Sequence, residues 1–307
     1  MPKPRPPNGL SETGSELLYA LRKNKAHQIR KYLKSAPNNY PRFLYKYIPS
    51  SMDIDKLRCL LIDSDFYLSP VSVFNDPFDT SAKVVNVGSP KQKRKRFTEI
   101  FRKHHPSSKR RELDQLISDA MARHHNDVSI IETVFKVHTH AAGLSCFSEN
   151  PRNILMWSHY ASKHQGAVLQ FNISKDLGSM LYALKMHYSH HYPIFNFAVD
   201  LAEQFESIML RKASDWSYEK EWRILRIGGA DTFQPFKPQA LTGIIFGSRC
   251  TDNFRVMAQQ VINERRAVGH PHINIYQAEQ HPSKYAIRIS RGASLTLPTS
   301  AQMVAAI

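Results

Sequence analysis

The sequence predicts an α+β fold with a mixed β-sheet core and helices at its periphery. Short aromatic and aliphatic runs recur between residues 43 and 288, and their composition is typical of strands. Several of these runs are separated by amphipathic stretches with helical spacing. Between residues 89 and 140 the composition changes to charged, histidine-containing helical sequence, which indicates a helical insertion on the β core.

The predicted elements follow from these patterns in chain order. Residues 1–40 form a basic, proline-rich start and a helix at about 11–35, residues 41–290 form one α+β domain, and residues 291–307 form a tail. Within the domain we predict strands at residues 43–47, 66–69, 143–148, 166–171, 181–188, 219–226, 241–246, 273–276 and 285–288. Helices are predicted at residues 53–63, where Asp53 can cap the first turn, and at 154–161, 195–212 and 253–266, with two or three more at about 89–137.

The composition indicates a folded protein of the cytoplasm. Of its 307 residues, 42% are hydrophobic and 10% aromatic, which is enough for a substantial core. No apolar stretch approaches the roughly 18–20 residues that span a bilayer, and the basic start has no apolar signal region. Cys59, Cys146 and Cys250 lie far apart without a C-x-x-C pair, which favours reduced thiols.

Motifs for metals and for nucleotide phosphates are absent from the sequence. The 15 histidines include adjacent pairs, but none is joined by a carboxylate or cysteine at a metal-ligand spacing, so we expect no metal. Neither G-x-G-x-x-G nor G-x-x-x-x-G-K occurs, which disfavours a Rossmann dehydrogenase or a P-loop kinase.

The charge is strongly positive and partly clustered. Lys plus Arg exceed Asp plus Glu by 42 − 26 = 16, a balance that favours nucleic acids or anionic proteins as partners. No membrane association is predicted, because no apolar stretch is long enough to span a bilayer. The clustered residues are Lys91, Lys93, Arg94, Lys95, Arg96, Lys109, Arg110 and Arg111. They are candidates for contacts with nucleic-acid phosphates, and a solvated helix face explains them equally well.

Two glutamates, Glu219 and Glu221, lie two residues apart in the predicted strand 219–226. Alternate residues of a strand share one face, so both carboxylates are expected on the same side. One interpretation is an ion-paired polar face with Arg223, while Trp222 and Ile224 face the core. The other is a catalytic carboxylate pair.

Four segments together resemble a bacterial family known as domain of unknown function 2971. They are LYKY at residues 44–47, YLSP with FNDPF at 67–78, LSCFSE with WSHY at 144–160, and WSYEKEWR at 216–223. The resemblance extends over about residues 43–247. The same pattern is similar to a remote version of the ADP-ribosyltransferase fold, which places a basic residue early, serines on a middle strand and a Glu-x-Glu pair late.

The resemblance to ADP-ribosyltransferases implies NAD as a substrate and assigns roles to five residues. Glu221 would act on the ribose and Glu219 on the acceptor, as catalytic residues, and Lys46, Ser145 and Ser148 would help to hold NAD. We add Arg223, Tyr45 and Tyr47 as candidate NAD contacts; the two tyrosines could stack on nicotinamide or be core aromatics. Two departures accompany this assignment: Lys46 stands where His or Arg is expected, and serines three residues apart do not share a strand face.

The resemblance therefore predicts an NAD-dependent ADP-ribosyltransferase-like enzyme acting on a nucleic-acid or protein target. Such an enzyme would fit anti-phage defence or a toxin system. The alternative is a nucleic-acid-binding protein that keeps the fold without the chemistry, with Lys46 and the basic residues at 91–111 as its contacts.

Overall fold

The computed structural model describes residues 40–123, 128–199 and 201–291. The predicted α+β class is confirmed: a curled, mixed sheet carries helices on its faces and at its periphery. The predicted helix at 11–35 and nearly all of the tail at 291–307 lie outside the described residues.

The strands and helices have the following bounds. The strands are β1 (Phe43–Ile48), β2 (Asp65–Pro70), β3 (Lys83–Val85), β4 (Gly143–Ser148), β5 (Ala167–Asn172), β6 (Ala183–Lys185), β7 (His187–Ser189), β8 (Ile194–Asn196), β9 (Arg211–Ala213), β10 (Glu221–Arg226), β11 (Thr232–Pro235), β12 (Leu241–Phe246), β13 (Asn274–Gln280) and β14 (Ile287–Arg291). The α-helices are α1 (Ile54–Arg58), α2 (Pro90–His104), α3 (Arg110–Arg123), α4 (Ser129–His140), α5 (Ile154–Tyr160), α6 (Leu177–Met180), α7 (Leu201–Met209) and α8 (Asp252–Ala267).

The large sheet has the strand order β11-β2-β4-β1-β5-β12-β13-β14, and β10 pairs with β4 and β6. Most pairs are antiparallel, whereas β12 and β13 run parallel. Strands β1 and β4 share only the pair Tyr45–Ser148, and β2 meets β4 only at its other end. One edge of β4 therefore faces a gap between β1 and β2, while its opposite edge pairs with β10.

Both faces of the central strands are buried. Leu44 and Ile48 of β1 pack with α1 and α8 in the main core, which also holds Phe66. On the other face, Trp157 of α5 packs with Val168 of β5. Successive strand residues face opposite sides of the sheet, so one sheet can pack against helices on both of its faces. The cap predicted for the first of these helices is confirmed, since Asp53 accepts a hydrogen bond from Lys56 N at 2.8 Å.

Three helices occupy the region from 90 to 140. The first begins with a capping box between Ser89 and Gln92, with proline at its first position. Phe97 and Phe135 of these helices pack with Phe195 of β8 in an apolar cluster of their own. The helical region thus has a core separate from the one beneath the central sheet.

Several predicted boundaries are corrected. The strand predicted at 219–226 begins at Glu221, because Glu219 ends a 3₁₀ helix and Lys220 has a left-handed φ of 45°. The helix predicted at 195–212 contains β8, α7 and the start of β9. The strand predicted at 181–188 is divided into β6 and β7. By contrast, the prediction that Trp222 and Ile224 face the core is confirmed.

Gly166 should be one of the least replaceable residues of the fold. A Cβ at this position would overlap the backbone carbonyl oxygen of Ile48, which cannot move without disturbing β1. Gly166→Ala is therefore expected to lower the free energy of unfolding by about 1–3 kcal/mol, measured by denaturant titration. Gly178→Ala is the control, since its Cβ would make only an ordinary 3.4 Å contact with Asp176. Equal effects of the two substitutions would contradict this account of the packing.

Candidate active site

A pocket of about 400 Å³ opens beside β1, β4 and β10. Its size is within the range of small-molecule sites, roughly 300–1,000 Å³. Aromatic side chains form part of its wall, namely Tyr45, Tyr47, Phe74, Phe147 and Tyr160. The charged residues at its wall are Lys46, Asp79, Lys212, Glu219, Glu221 and Arg223.

The two glutamates meet on a buried lysine. Lys212 Nζ lies 2.6 Å from Glu219 Oε2 and 3.2 Å from Glu221 Oε2, and 3.6 Å from Asp79 Oδ2. Tyr160 donates a hydrogen bond to the other oxygen of Glu219 at 2.6 Å. The lysine and the three carboxylates around it are almost completely buried. The predicted pair is thus brought together, by a shared cation and not by a shared strand face.

A tight turn places the glutamates around Lys212. Glu219 ends the 3₁₀ helix Ser214–Glu219, Lys220 reverses the chain in the left-handed region, and Glu221 starts β10. Ser148 fixes the turn, because its hydroxyl donates to the backbone oxygen of Glu219 at 2.5 Å. Tyr188 accepts a hydrogen bond from Glu221 N at 2.8 Å. Ser148 is fully buried and positions this turn from behind the pocket.

Arg223 uses all five of its N–H donors within the protein. Nε and Nη2 bind the two oxygens of Glu221 at 2.6 and 3.1 Å, and Nη1 and Nη2 bind the two oxygens of Asp79 at 2.9 and 2.5 Å. Nη1 also donates to the carbonyl of Met209 at 3.0 Å. A guanidinium has five such donors, so none remains for a cofactor. The structure gives Arg223 a positioning role in place of the predicted NAD contact.

The surroundings shift the pKa values of the two glutamates in opposite directions. Burial opposes the ionisation of Glu221, but the positive charges of Arg223 and Lys212 lower its pKa to about 2. Burial raises the pKa of Glu219, and the negative charge of Glu221 adds to the effect against the opposing influence of Lys212. Glu221 is therefore held as a carboxylate, while Glu219 is the group that can exchange a proton.

Lys46 has different hydrogen-bond partners from Lys212. Its Nζ donates to Ser145 Oγ at 2.8 Å and to the backbone oxygen of Cys146 at 3.4 Å, within the gap at the edge of β4. It lies 5.1 Å from the ring centre of Phe147. No carboxylate oxygen of the described residues is within 4.0 Å. Desolvation lowers the pKa of Lys46, so it holds a proton less firmly than an exposed lysine.

The remaining predicted pocket residues are placed as follows. Tyr45 lines the pocket and accepts a weak hydrogen bond from Gln170 at 3.4 Å. Tyr47 also lines it, with its hydroxyl bound to the carbonyl of Asn150 at 2.7 Å and its ring edge-on to Trp157. Ser145 is buried and reaches the pocket only through Lys46. Lys46, Tyr45 and Tyr47 are thus brought together with both glutamates.

The basic residues lie away from this pocket, on helices α2 and α3 and, for Lys109, directly before α3. Arg94 pairs with Asp114 and Arg96 with Glu99, both at 3.0 Å. Six others have no carboxylate within 4.0 Å among the described residues, namely Lys91, Lys93, Lys95, Lys109, Arg110 and Arg111. All of these six except Lys93, which is half-buried, are exposed.

Asp79, Lys212, Tyr160 and Tyr188 were not among the predicted site residues. Tyr160 belongs to the WSHY segment and Lys212 to the run KASDWSYEKEWR. In these two stretches only the glutamates and Arg223 were predicted as site residues. Asp79 lies 144 residues before Arg223, and no local pattern connects the two. In the part of the chain that the structure describes, no group of three metal-ligating side chains and no membrane-spanning helix occurs.

The fold and the site define a mixed α+β protein with a buried cluster of carboxylates and cations at the wall of a partly aromatic pocket. Residues 156–224 match the model of a family described as protein of unknown function (DUF2971), which supports the resemblance to that family. The matched range includes Tyr160, Lys212 and both glutamates, but not the segments near residues 44–78. No curated protein and no solved structure matches the chain.

Glu221→Gln is expected to lower the free energy of unfolding at pH 7 by about 3–5 kcal/mol, because it leaves two buried cations undercompensated. The native pKa of about 2 lies below the ordinary value of 4.5. The stabilisation is therefore complete above pH 4.5 and is lost as the pH falls towards 2. The difference between wild type and variant should shrink over that interval in denaturant titrations. The exposed Glu279→Gln is the control, and a pH-independent difference would contradict the assignment.

Proposed function

We propose that this protein is an ADP-ribosyltransferase-like enzyme that transfers ADP-ribose from NAD to a nucleic-acid or protein acceptor. The observation that carries the proposal is the convergence of Glu219 and Glu221 on Lys212, at the wall of a partly aromatic pocket, with pKa values shifted in opposite directions. When the pKa values of two carboxylates are shifted in opposite directions, one can provide electrostatic stabilisation while the other transfers a proton.

Glu221 would stabilise the positive charge that develops on the nicotinamide ribose. Its carboxylate is ionised and fixed in one orientation by Arg223, so little reorganisation is needed during the reaction. Asp79, Glu219 and Glu221 face the two cations Lys212 and Arg223, so the cluster carries one net negative charge when Glu219 is ionised. With Lys46 paired to an anionic group of the nucleotide, this negative cluster would favour a transition state with oxocarbenium character.

Glu219 would act as the general base for the acceptor. In the transfer, the bond between ribose and nicotinamide breaks with its electron pair leaving on nicotinamide, and an acceptor lone pair forms the new bond to the ribose carbon. The proton that the acceptor loses passes to Glu219, whose raised pKa suits that step. Tyr160 holds the carboxylate in place through its 2.6 Å hydrogen bond.

Lys46, Tyr45 and Tyr47 would hold NAD. Tyr45 and Tyr47 offer ring surface at the pocket wall, and Lys46 has no carboxylate partner within 4.0 Å among the described residues. Its ammonium is thus available to an anionic group of the nucleotide. A role in anti-phage defence or in a toxin system is part of the proposal and rests on family resemblance alone.

Nicotinamide release from NAD, measured with RNA, DNA and cell lysate as acceptors, tests the proposal. Glu221→Gln is expected to abolish release. Glu219→Gln is expected to slow transfer to the acceptor by about 10²–10⁴-fold while retaining slow hydrolysis of NAD. The rate of wild type should rise with pH through the raised pKa of Glu219, since the base must be ionised. Circular dichroism establishes that each variant is folded, and Glu279→Gln should behave as wild type.

Intact NAD with the wild type under every acceptor condition would contradict the proposal. So would a Glu219→Gln variant with the same transfer rate and pH profile as wild type.

A second candidate function, nucleic-acid binding without catalysis, is favoured by the uncompensated cations on α2 and α3. On this account the carboxylates are a structural cluster, which agrees with the use of every Arg223 donor within the protein. The basic residues and Lys46 would contact phosphates. The helical region has its own apolar cluster, so it offers a stable platform for such contacts.

Neutralising the exposed cations should weaken nucleic-acid binding and reduce its dependence on salt. The substitutions to glutamine are made at Lys91, Lys95, Lys109, Arg110 and Arg111. The slope of log K against log salt is expected to fall by roughly 0.9 for each phosphate that the protein no longer neutralises, measured by fluorescence anisotropy. A control of equal charge is neutralised at Lys175, Lys237, Arg266, Lys284 and Arg288. Equal effects in both variants would mean that binding follows net charge and not this surface.

A further inference from the structure

A second pocket, of about 590 Å³, adjoins the candidate active site. It lies between the loop that follows β2 and helix α4. Phe74 and Asp79 line both pockets, so only this wall separates them. The roles assigned above to the glutamates do not involve the second pocket.

Asp76 lines the second pocket and is a buried carboxylate, one of whose two oxygens is shielded from solvent and unmatched. The residue is 8% exposed, and its Oδ1 accepts a hydrogen bond from Phe78 N at 2.9 Å. Its Oδ2 has no hydrogen-bond donor among the described residues. The neighbouring Asp79 differs in this respect, since Arg223 occupies both of its oxygens. A shielded carboxylate oxygen without a donor is unfavourable, and a charge-assisted donor compensates it best.

The rest of the lining limits what such a donor can be. Phe74, Phe135 and Val84 provide apolar and aromatic surface, which suits an aliphatic stem or the flat face of a guanidinium. Glu132 adds a second negative charge at the exposed rim. A simple anion would have to approach these carboxylates, so the pocket favours a cation.

We infer that the second pocket binds a guanidinium or ammonium group on an aliphatic chain, paired with Asp76. An arginine or lysine side chain of a protein has this chemistry, and so does a free alkyl amine. The inference is independent of the proposed NAD chemistry, because it rests on Asp76 and on the shape of its surroundings.

Lys136 is a cation of the protein itself that would compete with an external cation for Asp76. It lines the same pocket on α4, and no carboxylate of the described residues lies within 4.0 Å of its ammonium. Its side chain could rotate onto Asp76 and take the place of an external cation. Removing it should therefore leave external binding equal or tighter.

The test is a calorimetric titration of the full chain with Nα-acetyl-arginine methylamide, beside the isosteric but neutral citrulline derivative. The arginine probe is expected to bind at least about tenfold more tightly than the citrulline probe, as one charge-assisted hydrogen bond predicts. Asp76→Asn should remove this preference, because asparagine keeps the acceptor for Phe78 N and loses the charge. Asp63→Asn, at an exposed position, should retain it, and Lys136→Met should retain or increase it.

Agmatine distinguishes the two sources of the cation. Tighter binding of the arginine derivative than of agmatine indicates a protein side chain, whereas the reverse indicates a free amine. Equal affinities for the arginine and citrulline probes in both wild type and Lys136→Met would overturn the inference. An unchanged preference in folded Asp76→Asn would overturn it as well. The comparison of probes on wild type does not depend on the folding of any variant.

Discussion

The structure depends on keeping five ionisable groups out of water at one place. Asp79, Lys212, Glu219, Glu221 and Arg223 are each below a tenth exposed, and their carboxylate and nitrogen atoms are joined at 2.5–3.6 Å. Removing an ion from water carries a penalty of several kcal/mol, which only close partners offset. The loop after β2, strand β9, the 3₁₀ turn and strand β10 must therefore be assembled together, since none of them can bury its charges alone. The pocket is a consequence of that assembly.

The sequence predicted that the two glutamates lie close together, which they do, but not how they meet. The spacing of Glu219 and Glu221 predicts a shared strand face, yet the backbone between them turns at Lys220 with a left-handed φ of 45°. Strand periodicity could not reveal this turn, because Lys220 is neither glycine nor asparagine. The prediction for Trp222 and Ile224 was correct because alternation does hold from Glu221 onward. Side-chain alternation therefore held within β10 and did not extend to Glu219, which precedes the strand.

The sequence suggested Arg223 as an ion-pair partner of the glutamates, and Arg223 does bind Glu221 at 2.6 Å. Lys212 and Asp79 were missed for a different reason. A lysine or aspartate in a single sequence is most simply interpreted as solvated, since these residues are seldom fully buried. Asp79 reaches Arg223 across 144 residues, and Lys212 lies 3.6 Å from the same aspartate. Lys46 was located from the resemblance, but its lack of a carboxylate within 4.0 Å became visible only with the gap at the edge of β4. Burial and long-range pairing, which decide the chemistry of this site, are properties of the assembled sheet.

The two lysines of the pocket, Lys212 and Lys46, differ in their partners and in the direction of their pKa shifts. Lys212 has three carboxylates around it, and their negative charges raise its pKa against the effect of burial. It is committed to the cluster. Lys46 has a lowered pKa and only a serine hydroxyl and a backbone carbonyl as hydrogen-bond acceptors. A purely structural pocket would have no need of a third cation beside Lys212 and Arg223, because the cluster is already complete without it. Lys46 is therefore the residue through which a structural account and a ligand-binding account of this pocket differ most.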